Sequence, residues 1–131
     1  MKIVFITGVF DLFHFGHICL FRKAKELGDY LLVGVHTDEA VVNYKYKKPI
    51  LTEKERLEVV SSCYYVNGAI LIPEQTTLTK DFYEEWSIEL QVQGDEFDDY
   101  SLPKELGIFK LLPECKIFST TEILKRIKER L

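Results

Sequence analysis

The sequence predicts an α/β domain in which a doubly wound parallel sheet of about five strands carries helices on both faces. Three observations predict it. Short apolar runs alternate along the chain with stretches of helical spacing. The first two runs, residues 3–6 and 30–35, are apolar without interruption, as in strands covered on both faces. The length, 131 residues, suits one domain with a full core, so residues 1–131 are read as a single unit.

The elements follow in order. Residues 2–7 form a first strand around Ile3, Val4, Phe5 and Ile6. Ile18, Phe21, Ala24 and Leu27 recur at every third position, which predicts a helix over 17–27 closed by Gly28. Residues 30–35 make the second strand, and Thr37-Asp38-Glu39 caps a short helix ending near Asn43. Thr52-Glu53-Lys54-Glu55 is a capping-box sequence that opens a helix to about Cys63. A third strand over 69–72 is stopped by Pro73, a helix spans 79–86, and a fourth strand over 90–93 ends at Gly94. A short helix over 104–106 precedes Gly107, and an edge strand over 109–112 runs into Pro113. Ser119-Thr120-Thr121-Glu122 reads as a second capping box, and Ile123, Leu124, Ile127 and Leu131 line one face of the helix behind it. Ligands of such sheets bind beyond the carboxyl ends of the strands at the switch point. Residues 8–17, 36–38, 73–77 and 94–100 are therefore the segments to search.

Composition narrows the function. With 17 basic and 21 acidic side chains the net charge is −4, which argues against nucleic acid as a partner. Phosphate binding must then come from a local cluster. Cys19, Cys63 and Cys115 are odd in number and far apart, so neither a disulfide framework nor a metal site is read from them. No apolar run approaches the ~20 residues of a membrane span, and no signal-peptide pattern opens the chain; a cytoplasmic location is expected.

Gly8-Val9-Phe10-Asp11-Leu12-Phe13-His14-Phe15-Gly16-His17 stands out, because it joins a buried strand to a helix and sets two histidines three apart at the helix entry. A helix N-terminus suits phosphate, Gly16 lets a ligand approach the backbone, and two imidazoles there stabilise charge on phosphoryl oxygens. The plainer readings are surface histidines or two ligands of a metal lacking a third. Lys45-Tyr46-Lys47-Lys48 gathers three cations in four positions, either a solvated loop or a polyphosphate site. Arg56 sits in the first turn of its helix, where acids are preferred; it serves a ligand or a salt bridge to a carboxylate at the sheet edge. Asp11, Asp38, Asp95 and Tyr100 lie at strand exits, where carboxylates suit an ammonium group or the hydroxyls of a polyol.

The stretch G-x-F-D-x-x-H-x-G-H resembles the nucleotidylyltransferase superfamily with the HxGH motif, and in particular the small cytidylyltransferases. Lys45-Tyr46-Lys47-Lys48 resembles that family's basic loop, Glu53-Lys54-Glu55-Arg56 its E-x-x-R helix start, Gly94-Asp95-Glu96 its G-D-D segment, and Ser119-Thr120-Thr121 its closing S-T-T. The resemblance implies a Rossmann-like fold and transfer of CMP from CTP to a small phosphorylated alcohol, with release of pyrophosphate. It also implies Mg2+ accompanying the triphosphate, and a homodimer whose R-Y-V-D contact appears here as Tyr64-Tyr65-Val66-Asn67. Catalytic roles fall to His14, His17, Lys47 and Arg56. Nucleotide binding falls to Thr7, Gly8, Val9, Phe10 and Gly16, to Lys45, to Gly94 and Asp95, and to Ser119, Thr120 and Thr121. Acceptor binding is assigned to Asp11, Asp38 and Tyr100. Choline-type enzymes carry a Trp where this chain has Thr76, which puts phosphoethanolamine or glycerol phosphate ahead of phosphocholine. One segment departs from the pattern: Glu114 and Ile117 replace the arginine and glycine of R-T-E-G-I-S-T-T. Related adenylyltransferases of heptose-phosphate and flavin type lack that arginine too, so ATP is the alternative nucleotide. A nucleotide-binding module without catalysis is the alternative class.

Overall fold

The apolar run at the N-terminus becomes β1 (Ile3–Gly8), the central strand of a parallel sheet. The computed structural model describes residues 1–73, 78–94, 99–112 and 119–131. Among them β2 (Tyr30–His36) and β3 (Gly68–Ile72) lie to one side of β1, and β4 (Ile88–Gln93) and β5 (Phe109–Leu111) to the other. The order is β3-β2-β1-β4-β5 and every pairing is parallel. The winding direction reverses between β1 and β4, which makes that boundary the switch point.

Alternation along the strands builds a core on each face. Val4, Ile6, Leu31, Val33 and Val35 join Phe21 and Ala24 of α1 (Phe15–Glu26) and Val60 of α3 (Glu53–Ser61) in one apolar cluster. Phe5, Leu32, Ile72 and Ile88 face the other way and pack with Tyr83 of α4 (Lys80–Glu85). The doubly wound α/β expectation holds.

Boundaries moved where end chemistry decided them. The first helix begins at Phe15, earlier than its apolar spacing indicated, because His14 is its N-cap. The helix after β2, α2 (Asp38–Lys45), runs past Asn43, so Lys45 belongs to its last turn and Tyr46 closes it in the left-handed region at φ 60°. A fifth helix, α5 (Ser101–Glu105), starts ahead of the expected 104–106 and places Pro103 in its first turn, where a missing N–H does no harm. The Thr52/Glu55 capping box forms in both directions. At α6 (Thr120–Arg130) only half of the expected box forms: the Ser119 hydroxyl accepts from the Glu122 N–H, while the Glu122 carboxylate pairs with Arg126 at 3.3 Å.

The two neighbours of β1 differ. Pairing with β2 runs unbroken from Ile3↔Tyr30 to Gly8↔Val35. Pairing with β4 slips between Ile3 and Val4 and ends at Phe5↔Gln91. No helix among the described residues is long and apolar enough to cross a membrane.

Candidate active site

Beyond Gly8 the chain turns sharply. Phe10 (φ 56°) and Leu12 (φ 47°) are both left-handed, a conformation disfavoured for bulky residues and held here by packing. The turn folds the buried Phe10 ring back over Gly8, where a Cβ would sit 2.7 Å from the ring. Gly8 is required for that closure. Phe10 meets His17 edge-on at 5.6 Å and Phe21 at 5.0 Å. Its ring, assigned to the nucleotide side, packs against His17 and Phe21.

The histidines form a capping box with each other. His14 Nδ1 accepts the Gly16 N–H at 3.0 Å, and His17 Nδ1 accepts the His14 N–H at 3.2 Å. An imidazole nitrogen that accepts must be unprotonated, so in both neutral rings the proton resides on Nε2. The cap thus fixes a tautomer as well as a helix start, and it engages the Gly16 N–H. The two rings stack at 3.9 Å, and Phe13 stacks on His17 at 5.3 Å and 17°. Phe13 carries no mark in the spacing that would have singled it out.

Burial among these rings depresses both histidine pKa values. For His17 desolvation dominates, His14 adds to it, Asp11 opposes it, and the result is about 3. Because the folded value lies below the ordinary 6.5, the unfolded chain binds more protons between pH 6.5 and about 3. The stability that neutral His17 confers is complete above pH 6.5 and is lost as pH falls through that window. Urea unfolding at pH 7, 6, 5 and 4 is expected to show an extra loss of up to about 1.4 kcal/mol per pH unit for this proton. His17→Gln removes the titrating group and is expected to flatten the profile.

Asp11 joins three segments. Its carboxylate accepts N–H bonds from Ile50 at 2.7 Å, Leu51 at 2.9 Å and Leu12 at 3.1 Å, and its carbonyl accepts from the Thr120 hydroxyl at 3.2 Å. The end of the basic segment and the start of α6 are thereby fastened to the histidine turn. The carboxylate expected to meet the acceptor is instead engaged in holding the site together. Lys45, Lys47 and Lys48 are exposed, with no ion pair or hydrogen bond to another described residue.

Arg56, read as a catalytic residue or a salt-bridge partner, is turned into the protein. It is fully buried, and its guanidinium donates to the carbonyls of Leu51 (3.1 Å), Val9 (2.8 Å) and His36 (2.7 Å) and to Asp38 Oδ1 (2.8 Å). Four donated bonds aim it inward, away from any polyphosphate; it clamps the ends of β1 and β2 to the turn before α3. Of the two readings open in the sequence, the ion pair is the one found. The clamp engages Asp38 as well, against its expected acceptor contact, and places the Val9 carbonyl under the loop.

Thr7, assigned to the nucleotide, is buried, with its N–H, hydroxyl and carbonyl all bonded to the Gln93 side chain. Tyr100 is buried against Phe109 at 5.2 Å, at the start of α5 beside β5. Gly94 leaves β4 beside Leu20 of α1. Ser119 caps α6, and Thr121 is exposed in its first turn. Asp95 and Glu96, Thr76 and the stretch 113–118 that contains Glu114 and Ile117 lie outside the described residues. Among the described residues no group of three or more His, Cys, Asp or Glu side chains is placed to hold a metal ion, and Asp11 and Asp38 at the strand ends bond N–H groups and Arg56.

A doubly wound sheet whose central strand leads through an HxGH turn into a helix defines the class of α/β nucleotidylyltransferase-type domains. The chain belongs to the cytidylyltransferase-like family, whose model matches residues 5–126. It is 40% identical to the ethanolamine-phosphate cytidylyltransferase of Dictyostelium discoideum and 36% identical to that of Arabidopsis thaliana, in each case over 96% of this chain. It spans only 38% and 32% of those two proteins. The bifunctional protein HldE of Campylobacter jejuni (strain RM1221) is 32% identical over 98% of the chain and 28% of its own length. Among solved structures, the lipopolysaccharide core biosynthesis protein from Thermoplasma volcanium GSS1 superposes with a TM-score of 0.68 at 32% identity, covering 85% of this chain and 93% of that one.

Proposed function

We propose that the chain is a cytidylyltransferase domain that transfers CMP from CTP to phosphoethanolamine or a similar phosphorylated alcohol. The observation that carries this is the mutual histidine cap, which presents two neutral imidazoles protonated on Nε2 at the start of α1. The names of the ethanolamine-phosphate cytidylyltransferase relatives support the choice of nucleotide and acceptor. An acceptor phosphate oxygen attacks the nucleotide α-phosphorus; one P–O bond forms, the bond to the β-phosphate breaks, and pyrophosphate leaves with the electron pair. Charge grows on the α-phosphoryl oxygens as this happens, and fixed N–H donors stabilise it without reorganising. Lys45 and Lys47, exposed and uncommitted to other described side chains, supply cations for the phosphates of both substrates. Mg2+ would arrive with the triphosphate and take most of its ligands from phosphate oxygens and water. A homodimer through the exposed Tyr64 segment and a cytoplasmic location complete the reading.

Calorimetry with CTP and ATP, followed by pyrophosphate release over a panel of phosphorylated alcohols, tests it. CTP is expected to bind more tightly and phosphoethanolamine to support release. A clear preference for ATP in competition would assign the domain to adenylyl transfer, and binding without release to a sensing module.

A further inference from the structure

The buried amides of Gln91 and Gln93 have no part in the reaction as derived. They stand two apart on β4 and so share the sheet face covered by α4. Both are almost completely buried, at 1% and 4% exposure. The Tyr83 hydroxyl donates to Gln91 Oε1, and Gln91 Nε2 donates to Gln93 Oε1 at 3.0 Å. Gln93 then meets β1 with its whole amide: Oε1 accepts the Thr7 N–H (3.0 Å) and hydroxyl (3.1 Å), and Nε2 donates to the Thr7 carbonyl (2.9 Å).

This contact falls where pairing between β1 and β4 stops. The ladder ends at Phe5↔Gln91, two residues short of Thr7 and Gln93, while β1 stays paired to β2 through Gly8. A side-chain amide has the same donor and acceptor as a peptide group. Here it takes the bonds that the β4 backbone would make in a continued ladder, so backbone pairing ends with no buried polar group of Thr7 left unpaired. On its other side Gln93 remains in register with β5. This end of the ladder lies at the switch point, where a doubly wound sheet receives its ligand, and Gly94 follows it directly.

We propose that Gln93 is a positioning residue for the nucleotide: its amide wedges β1 and β4 apart and sets the width of the cleft between them. The proposal rests on the nucleotidyl-transfer reading of the site. Without the amide, Thr7 regains partners only if β4 closes onto β1, which draws Gly94 inward and narrows the cleft.

Two substitutions test the wedge and a third controls for general packing. Gln93→Met keeps volume and removes all the bonds; Gln93→Asn keeps the amide but is one methylene too short to span the gap. Tyr83→Phe removes the far end of the network and leaves the Gln93–Thr7 contact intact. Both Gln93 variants are expected to raise the KM for CTP about 10-fold, with kcat within a factor of about 3 because the histidines sit on the β1 side. Their Thr7 amide is expected to lose hydrogen-exchange protection. Tyr83→Phe is expected to lower the melting temperature and leave the KM for CTP unchanged. An unchanged KM in folded Gln93→Asn overturns the proposal even if Gln93→Met does not fold, and so does an equal rise of KM in Tyr83→Phe. A wild-type protein that binds no nucleotide in the first titration overturns the nucleotidyl-transfer reading and this inference together; wild-type binding with unmoved variants overturns this inference alone.

Discussion

His17→Ala is expected to lower turnover by about 10²-fold or more, the usual loss on removing one preorganised donor from a transition state. In the proposed reaction His17 serves through both nitrogens: Nδ1 takes the His14 N–H, and the Nε2–H would meet the ligand. Alanine abolishes the donor and also the return half of the capping box. The second loss is worth only about 1 kcal/mol of helix stability. The variant should therefore fold with a slightly lower urea midpoint and bind nucleotide, yet release pyrophosphate very slowly. Single-turnover rates on folded protein separate these contributions. Near-normal release would remove His17 from the chemistry.

The second large effect is on stability. Arg56→Lys keeps the charge but cannot reach three carbonyls and a carboxylate at once. The carbonyls of Val9, His36 and Leu51 then compete for one ammonium, and Asp38 loses its ion pair. Breaking a buried, multiply bonded cation of this kind costs about 3–5 kcal/mol. Urea unfolding is expected to show that loss in full. An arginine that touched phosphate would behave oppositely, with nucleotide affinity falling and the unfolding midpoint holding. The measurement thus distinguishes a clamp from a ligand contact.

Arg56 also illustrates how far a sequence reading reaches. Its position in the first turn of a helix marks an electrostatic anomaly, because the helix dipole disfavours a cation there. The anomaly was legible; its resolution was not, since a phosphate and a set of strand-end carbonyls attract a guanidinium equally. Only the sheet order, which brings Val9 and His36 together, decides between them. Asp11 and Asp38 pose the same problem, as a carboxylate at a strand exit serves a ligand or nearby N–H groups without any change in the sequence. The strands themselves were readable because a strand buried on both faces leaves few polar positions. Thr7, His36, Gln91 and Gln93 are the buried polar exceptions, and the spacing of the two glutamines by two was the signal for a shared polar layer. The histidine cap went unread for another reason: imidazole is an unusual N-cap, so the helix was started from its apolar spacing.

The bond from the Thr120 hydroxyl to the Asp11 carbonyl bridges 109 positions of the chain. A ribosome adds roughly 5–20 residues per second, so the histidine turn waits about 5–20 s for the residue that fastens it to the last helix. Once residues through β4 have been added, β1 and β2 have their partners, while the turn carrying His14 and His17 still lacks its bond to α6. Within this domain the site is therefore completed after the sheet, and a nascent chain stalled before Thr120 would hold a mostly folded sheet with an unfinished centre.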